Sequence, residues 1–118
     1  MRALTAVFAG GFLGAIARVQ LADSVASDPA RWPWATFVAN VLGALALGYV
    51  ATRLKGTRRL LLGPGLCGAL TTFSTLQLEL LVMLDGGRWV LAAGYALASV
   101  LAGLGAVALT SRIGRKAA

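Results

Sequence analysis

Four long apolar blocks, each parted from the next by charge, constrain this chain more than any other feature. They run from about Leu4 to Leu21, Pro33 to Thr52, Leu60 to Leu84 and Trp89 to Thr110. A helix needs roughly 20 mostly apolar residues to cross bilayer hydrocarbon, so each block can span, and four spans consume about 80 residues. The rest of the 118 residues makes short links and tails, with no room for an extramembrane domain. A composition that is 58% hydrophobic and 13% charged excludes an ordinary soluble domain. The expectation is one all-α integral membrane domain over residues 1–118, multi-pass in the cell (plasma or inner) membrane, its helices at 4–21, 33–52, 60–84 and 89–110.

The net charge of +7 is spread between the apolar blocks rather than gathered on one ordered surface, so it does not describe a nucleic-acid site. Its distribution reports orientation instead. Arg2, Arg53, Lys55, Arg58, Arg59, Arg112, Arg115 and Lys116 fall on the face shared by the N-terminus, second link and C-terminus, against Arg31 and Arg88 on the other. By the positive-inside rule this bias places both termini in the cytoplasm and favours a single orientation. The first block follows Arg2 like a signal peptide, with small residues at Ala22 to Ala26. Its length, its interruption by Arg18 and the three spans that follow argue against cleavage.

The links have their own signals. Asp23, Ser24, Ser27, Asp28 and Pro29 make the first a polar turn, and Trp32 and Trp34 then stand where an aromatic belt anchors a helix, as Trp89 does for the fourth block. Asp85-Gly86-Gly87-Arg88 is short enough to fold the third and fourth helices into an antiparallel hairpin. Small residues four apart, Ala6, Gly10 and Gly14 in the first block and Ala44 and Gly48 after Asn40 in the second, permit close helix packing. Cys67 lies in an apolar stretch and reads as a small buried residue.

The third block departs from an ordinary span. Between Gly63 and Leu76 it holds Pro64, Gly65, Gly68 and the hydroxyl run Thr71, Thr72, Ser74 and Thr75. A broken helix exposes carbonyls and amides to ions, whereas a proline kink would let the hydroxyls bond back to their own helix. Asn40, inside the second block, is either a donor facing a polar pathway or interhelical glue. Tyr95, Ser99 and Gly103 are four apart and share a helix face, which suits a polar stripe or plain packing. Arg18 is placed to snorkel or to pair, and Glu79, about two turns past the break, to face a vestibule or an arginine. With no histidine, no nucleophile beside a base and no metal-ligand cluster, nothing here makes an enzyme.

These residues also resemble a family. Gly10-Gly11-Phe12-Leu13-Gly14-Ala15-Ile16-Ala17-Arg18 is similar to the GGxxGAxxR opening of the CrcB/Fluc fluoride channels, Thr36 to Gly43 to their second-helix motif, and Gly65 to Thr75 to their G-x-C-G-x-x-TTFST signature. The resemblance implies passive fluoride export by an inverted (antiparallel) dimer of four-helix subunits, with a structural sodium ion at the dimer interface. Carried onto this chain, Gly68 and Thr71 would give the sodium its backbone carbonyls. Asn40, Phe73, Ser74, Thr75, Tyr95 and Ser99 would belong to the fluoride route, with Glu79 beside it. Amide and hydroxyl groups suit a small, tightly hydrated anion whose water must be replaced by donors, and a phenyl edge is positive enough to face one.

Two positions depart from the family pattern: Leu76 stands where a second phenylalanine is usual, and Gly103 where a third polar residue is. With the charge bias, they favour a heterodimer with a homologous subunit of opposite orientation over a homodimer. The alternatives are a small multidrug-type proton-coupled exporter, whose acid belongs in the first helix, and a non-conducting membrane assembly subunit.

Overall fold

The computed structural model describes residues 2–25 and 31–117. Ser27, Asp28 and Pro29 of the first link, and Ala26 beside them, lie outside the described residues. Four helical spans are long and apolar enough to cross a membrane. The first is α1 (Arg2–Ser24), the second α2 (Trp34–Arg53) and the fourth α6 (Trp89–Ala117). The third is composite: α3 (Gly56–Leu60), a π-helical stretch (Leu61–Cys67), α4 (Gly68–Leu70) and, after a break, α5 (Ser74–Asp85).

The chain is inside out by the standard of a soluble protein. In α1 the buried residues are Ala6, Gly10 and Gly14, while Phe8 and Phe12 are exposed, as lipid-facing side chains are. Without a hydrophobic force between helices in lipid, association rests on backbone approach. A Cβ at Gly10 would strike the Leu61 carbonyl, one at Gly14 the Leu66 carbonyl, and one at Gly65 would sit 3.0 Å from both the Gly10 Cα and the Val7 carbonyl. So α1 runs parallel to the first half of the third span, with its glycine stripe laid on the π-helical stretch.

The second pair, α2 and α6, is parallel as well. Gly48 closes on Thr110 and the Val107 carbonyl, and Gly114 on Thr52. The Ser111 hydroxyl donates to the Gly48 carbonyl at 3.4 Å. Pro33 directly precedes α2, where a missing N–H costs nothing because first-turn amides have no helical partner.

The hairpin between α5 and α6 forms as its link suggests. Gly87 adopts φ 75°, its N–H reaches the Leu84 carbonyl at 3.0 Å, and the Arg88 N–H reaches that of Met83 at 2.8 Å. This is the glycine-terminated helix end in which two crossed hydrogen bonds satisfy the last carbonyls. Helix α6 runs past Thr110 to Ala117, carrying Arg112, Arg115 and Lys116 on its final turns, where cations suit the dipole. Likewise α3 starts at Gly56, so Arg58 and Arg59 are helical.

The glycine stripe has a clear consequence. Gly10→Ala drives a methyl into a backbone carbonyl and is expected to cost about 1–3 kcal/mol, whereas Gly11→Ala, whose methyl would meet only the Gly65 carbonyl at 3.9 Å, is expected to be near neutral. Thermal unfolding of both variants in detergent checks this; equal melting temperatures would contradict the close approach.

Candidate functional site

Proline removes a donor and clashes with the preceding turn, yet the helix does not break at Pro64. It widens to the π form over Leu61–Cys67, which absorbs the defect. The break comes seven residues later: Thr71 turns extended at φ −78°, ψ 154°, and helix resumes only at Ser74.

What holds the break open is Asn40. Its Oδ1 accepts the Thr72 N–H at 2.8 Å, and its Nδ2 donates to the Thr72 carbonyl at 3.2 Å. The side-chain amide thus pairs with the N–H and C=O of one residue as a neighbouring strand would, satisfying both backbone groups of Thr72. The Thr72 hydroxyl accepts the Thr75 N–H at 3.3 Å and donates to the Thr75 hydroxyl at 3.2 Å, which caps α5. The Thr71 hydroxyl donates back to the Cys67 carbonyl at 3.0 Å, the local bond of a kinked helix. Both sequence alternatives therefore occur one residue apart, and Asn40 is interhelical glue at the place where backbone is opened.

Among the carbonyls that lose their helical donors at the break are those of Gly68 and Thr71. In an unbroken helix the Thr72 and Thr75 amides would serve Gly68 and Thr71; here they go to Asn40 and to the Thr72 hydroxyl. Gly68 and Thr71 line an open groove of about 370 Å³ between α2 and the third span. Carbonyl oxygens relieved of their helical donors are the hard ligands that a small cation takes.

Beyond the break, Glu79 on α5 binds two hydroxyls rather than an arginine. Thr36 of α2 donates to its Oε2 and Tyr95 of α6 to its Oε1, each at 2.9 Å. Tyr95 is fully buried with Met83 and Ala92, and Leu76, Leu80, Phe37 and Trp32 pack around them. Leu76 is therefore part of a packed cluster. Trp32 is turned into the same cluster instead of joining the surface belt that Trp34 and Trp89 form at 52% and 68% exposure.

Arg18 is half-buried, and its Nε has no hydrogen-bond partner among the described residues. It lines a pocket of about 300 Å³ with Thr36, Thr72 and Thr75. The site thus brings Asn40, Thr75, Glu79, Tyr95 and Arg18 to one region where α1, α2, the break and α6 meet. Ser99 lies one turn along α6 from Tyr95, its hydroxyl buried and unpartnered. Phe73, 70% exposed, and Ser74 instead face out of the protomer, and a Cβ at Gly103 would touch nothing. Thr36 is a participant that sequence reasoning did not single out, and Thr72 was read only as one of a hydroxyl run. The signal for Thr36 was its spacing of four from Asn40, which puts both on one face of α2.

Four membrane-length helices, with one opened over a polar pocket, define a polytopic membrane protein with a broken third span. The model of the CrcB-like protein (camphor resistance) family matches residues 5–111. The chain belongs to that family. It is 53% identical over 121 aligned positions to a Mycolicibacterium paratuberculosis protein named fluoride-specific ion channel FluC 1, covering 98% of this chain and 92% of the relative. A Mycobacterium tuberculosis protein of the same name is 52% identical over the same shares. A Nocardia farcinica protein named fluoride-specific ion channel FluC 2 is 42% identical, over 90% of this chain and 80% of its own length.

Asn40→Ala removes the partners of the Thr72 N–H and C=O at once. It is expected to lower stability by about 2 kcal/mol and to speed hydrogen exchange at the Thr72 amide, while the amides of α2 keep their protection. Unchanged exchange at Thr72 would show that another group holds the break.

Proposed function

We propose that the chain is a subunit of a fluoride-specific channel that lowers cytoplasmic fluoride by passive export. The observation that carries this is the break itself, where amides and hydroxyls line opened backbone beside Arg18, in a chain whose relatives bear the name of fluoride channels. Fluoride gives up its water only to donors of comparable strength. Asn40, Thr75 and Ser99 supply amide and hydroxyl donors from the protomer, with Tyr95 beside them holding Glu79, while Phe73 and Ser74 offer a ring edge and a hydroxyl to whatever covers the exposed face. No energy source is required: neutral HF enters from acid surroundings, dissociates, and the trapped anion leaves down its gradient.

The outward-facing Phe73 and the groove holding Gly68 and Thr71 fit a second subunit across that face, with sodium held on those two carbonyls at the interface. Eight Lys or Arg on one side against two on the other favour insertion in one direction, with both termini cytoplasmic. The partner is then a separately encoded homologue of opposite orientation, a pairing in keeping with relatives numbered 1 and 2. A proton-coupled multidrug-type exporter would carry its acid in the first span, whereas Glu79, the acid inside a span here, lies in the third with both oxygens bonded to hydroxyls.

Fluoride efflux from liposomes, read by a fluoride electrode, tests the proposal. The pair is expected to conduct and the single protein to be silent; Asn40→Ala or Phe73→Ala in the pair is expected to slow efflux about tenfold, the loss of one ion contact of about 1.4 kcal/mol at the barrier. Efflux from the single protein would contradict the heterodimer, and silence from both would return the chain to the role of an assembly subunit.

A further inference from the structure

The indole N–H of Trp32 is buried and has no hydrogen-bond partner among the described residues. A tryptophan at a membrane surface ordinarily turns this group to water or headgroups. Trp32 turns it inward. Its ring meets Tyr95 edge-on, at 5.2 Å between centroids and 75° between planes, and Phe37 at 5.4 Å and 72°. Apolar packing accounts for the ring but not for the nitrogen, because a phenylalanine would pack there without burying a donor.

The position of the orphan group is informative. Trp32 precedes α2 at the end of the molecule away from the basic face, against a tyrosine whose hydroxyl is already committed to Glu79. One turn along α6 from Tyr95 is a second buried, unpartnered donor, the Ser99 hydroxyl. Glu79, the carboxylate that Tyr95 contacts, already takes hydroxyls from Thr36 and Tyr95. Two uncommitted donors therefore flank Tyr95 along the contact between α2 and α6. An indole N–H donates and cannot accept, so it serves an anion and offers a cation nothing.

We propose that the Trp32 indole N–H is a fluoride-binding donor at the end of the route away from the basic face. The inference rests on the fluoride-channel proposal. In proteoliposomes of the complete channel, Trp32→Phe keeps the ring packing and removes the donor; it is expected to slow fluoride efflux about tenfold with the melting temperature nearly unchanged. A second readout does not depend on that variant folding. With Trp34→Phe and Trp89→Phe in this chain, and phenylalanine for any tryptophan of the homologue, Trp32 is the sole indole, and its emission is expected to shift on titration with sodium fluoride but not with sodium chloride. Efflux of Trp32→Phe at the parent rate, or emission indifferent to fluoride in a conducting channel, overturns the inference and leaves the channel proposal standing. A parent silent both alone and paired contradicts the channel proposal, and this inference with it.

Discussion

A peptide group opened inside a bilayer must be satisfied by protein, since lipid tails offer it nothing and each unpaired group costs several kcal/mol, on the order of a small domain's whole stability. Here the Asn40 side chain meets that demand, taking both polar groups of Thr72. Most other features of the fold serve to bring α2 and the break to hydrogen-bonding distance. Gly43, one turn below Asn40, lies against the Thr71 methyl, and any larger residue there would push the break away from the amide. On the far side of the third span, the glycines of α1 lie flush on the π-helical stretch. The break is thus gripped from two sides by helices that can approach only because their contacting residues are small.

The π-helical stretch and the break divide the labour of the third span. Pro64 alone would kink a helix at an arbitrary angle; widened over a turn, the helix carries on to Leu70 and delivers Thr71 to Gly43. Beyond the break, α5 restarts on a Thr72 cap and brings Glu79 between Thr36 and Tyr95, so that three helices share one carboxylate. The diverted amides of Thr72 and Thr75 are what free the carbonyls of Gly68 and Thr71. One small rearrangement therefore diverts amides to new partners and leaves carbonyls without helical donors.

Much of this was legible before any coordinates. Apolar length marked four spans, Gly86-Gly87 marked the hairpin, and the crowding of Pro64, glycines and hydroxyls marked the third span as broken. What fixes the break was not, because its partner, Asn40, lies 32 positions away and its amide read equally as a pathway donor or as glue. The inward turn of Trp32 is hidden for a similar reason: composition assigns tryptophan to the interface, and only the Tyr95 ring explains its departure. Helix ends were also underestimated. Arg112, Arg115 and Lys116 read as a tail by hydropathy, yet backbone hydrogen bonding carries α6 through them.

A break that opens an ion path must stand deep in the membrane and yet touch water through the protein, and the segment Thr71–Phe73 is predicted to do both. A spin label at position 74, in a Cys67→Ala background and in lipid nanodiscs with the homologous subunit, measures both properties at once. Depth from relaxation by lipid-borne and aqueous paramagnets, together with deuterium modulation from heavy water, is predicted to place the label near the bilayer centre and wet. A label that is deep but dry, or one at headgroup level, would contradict the account.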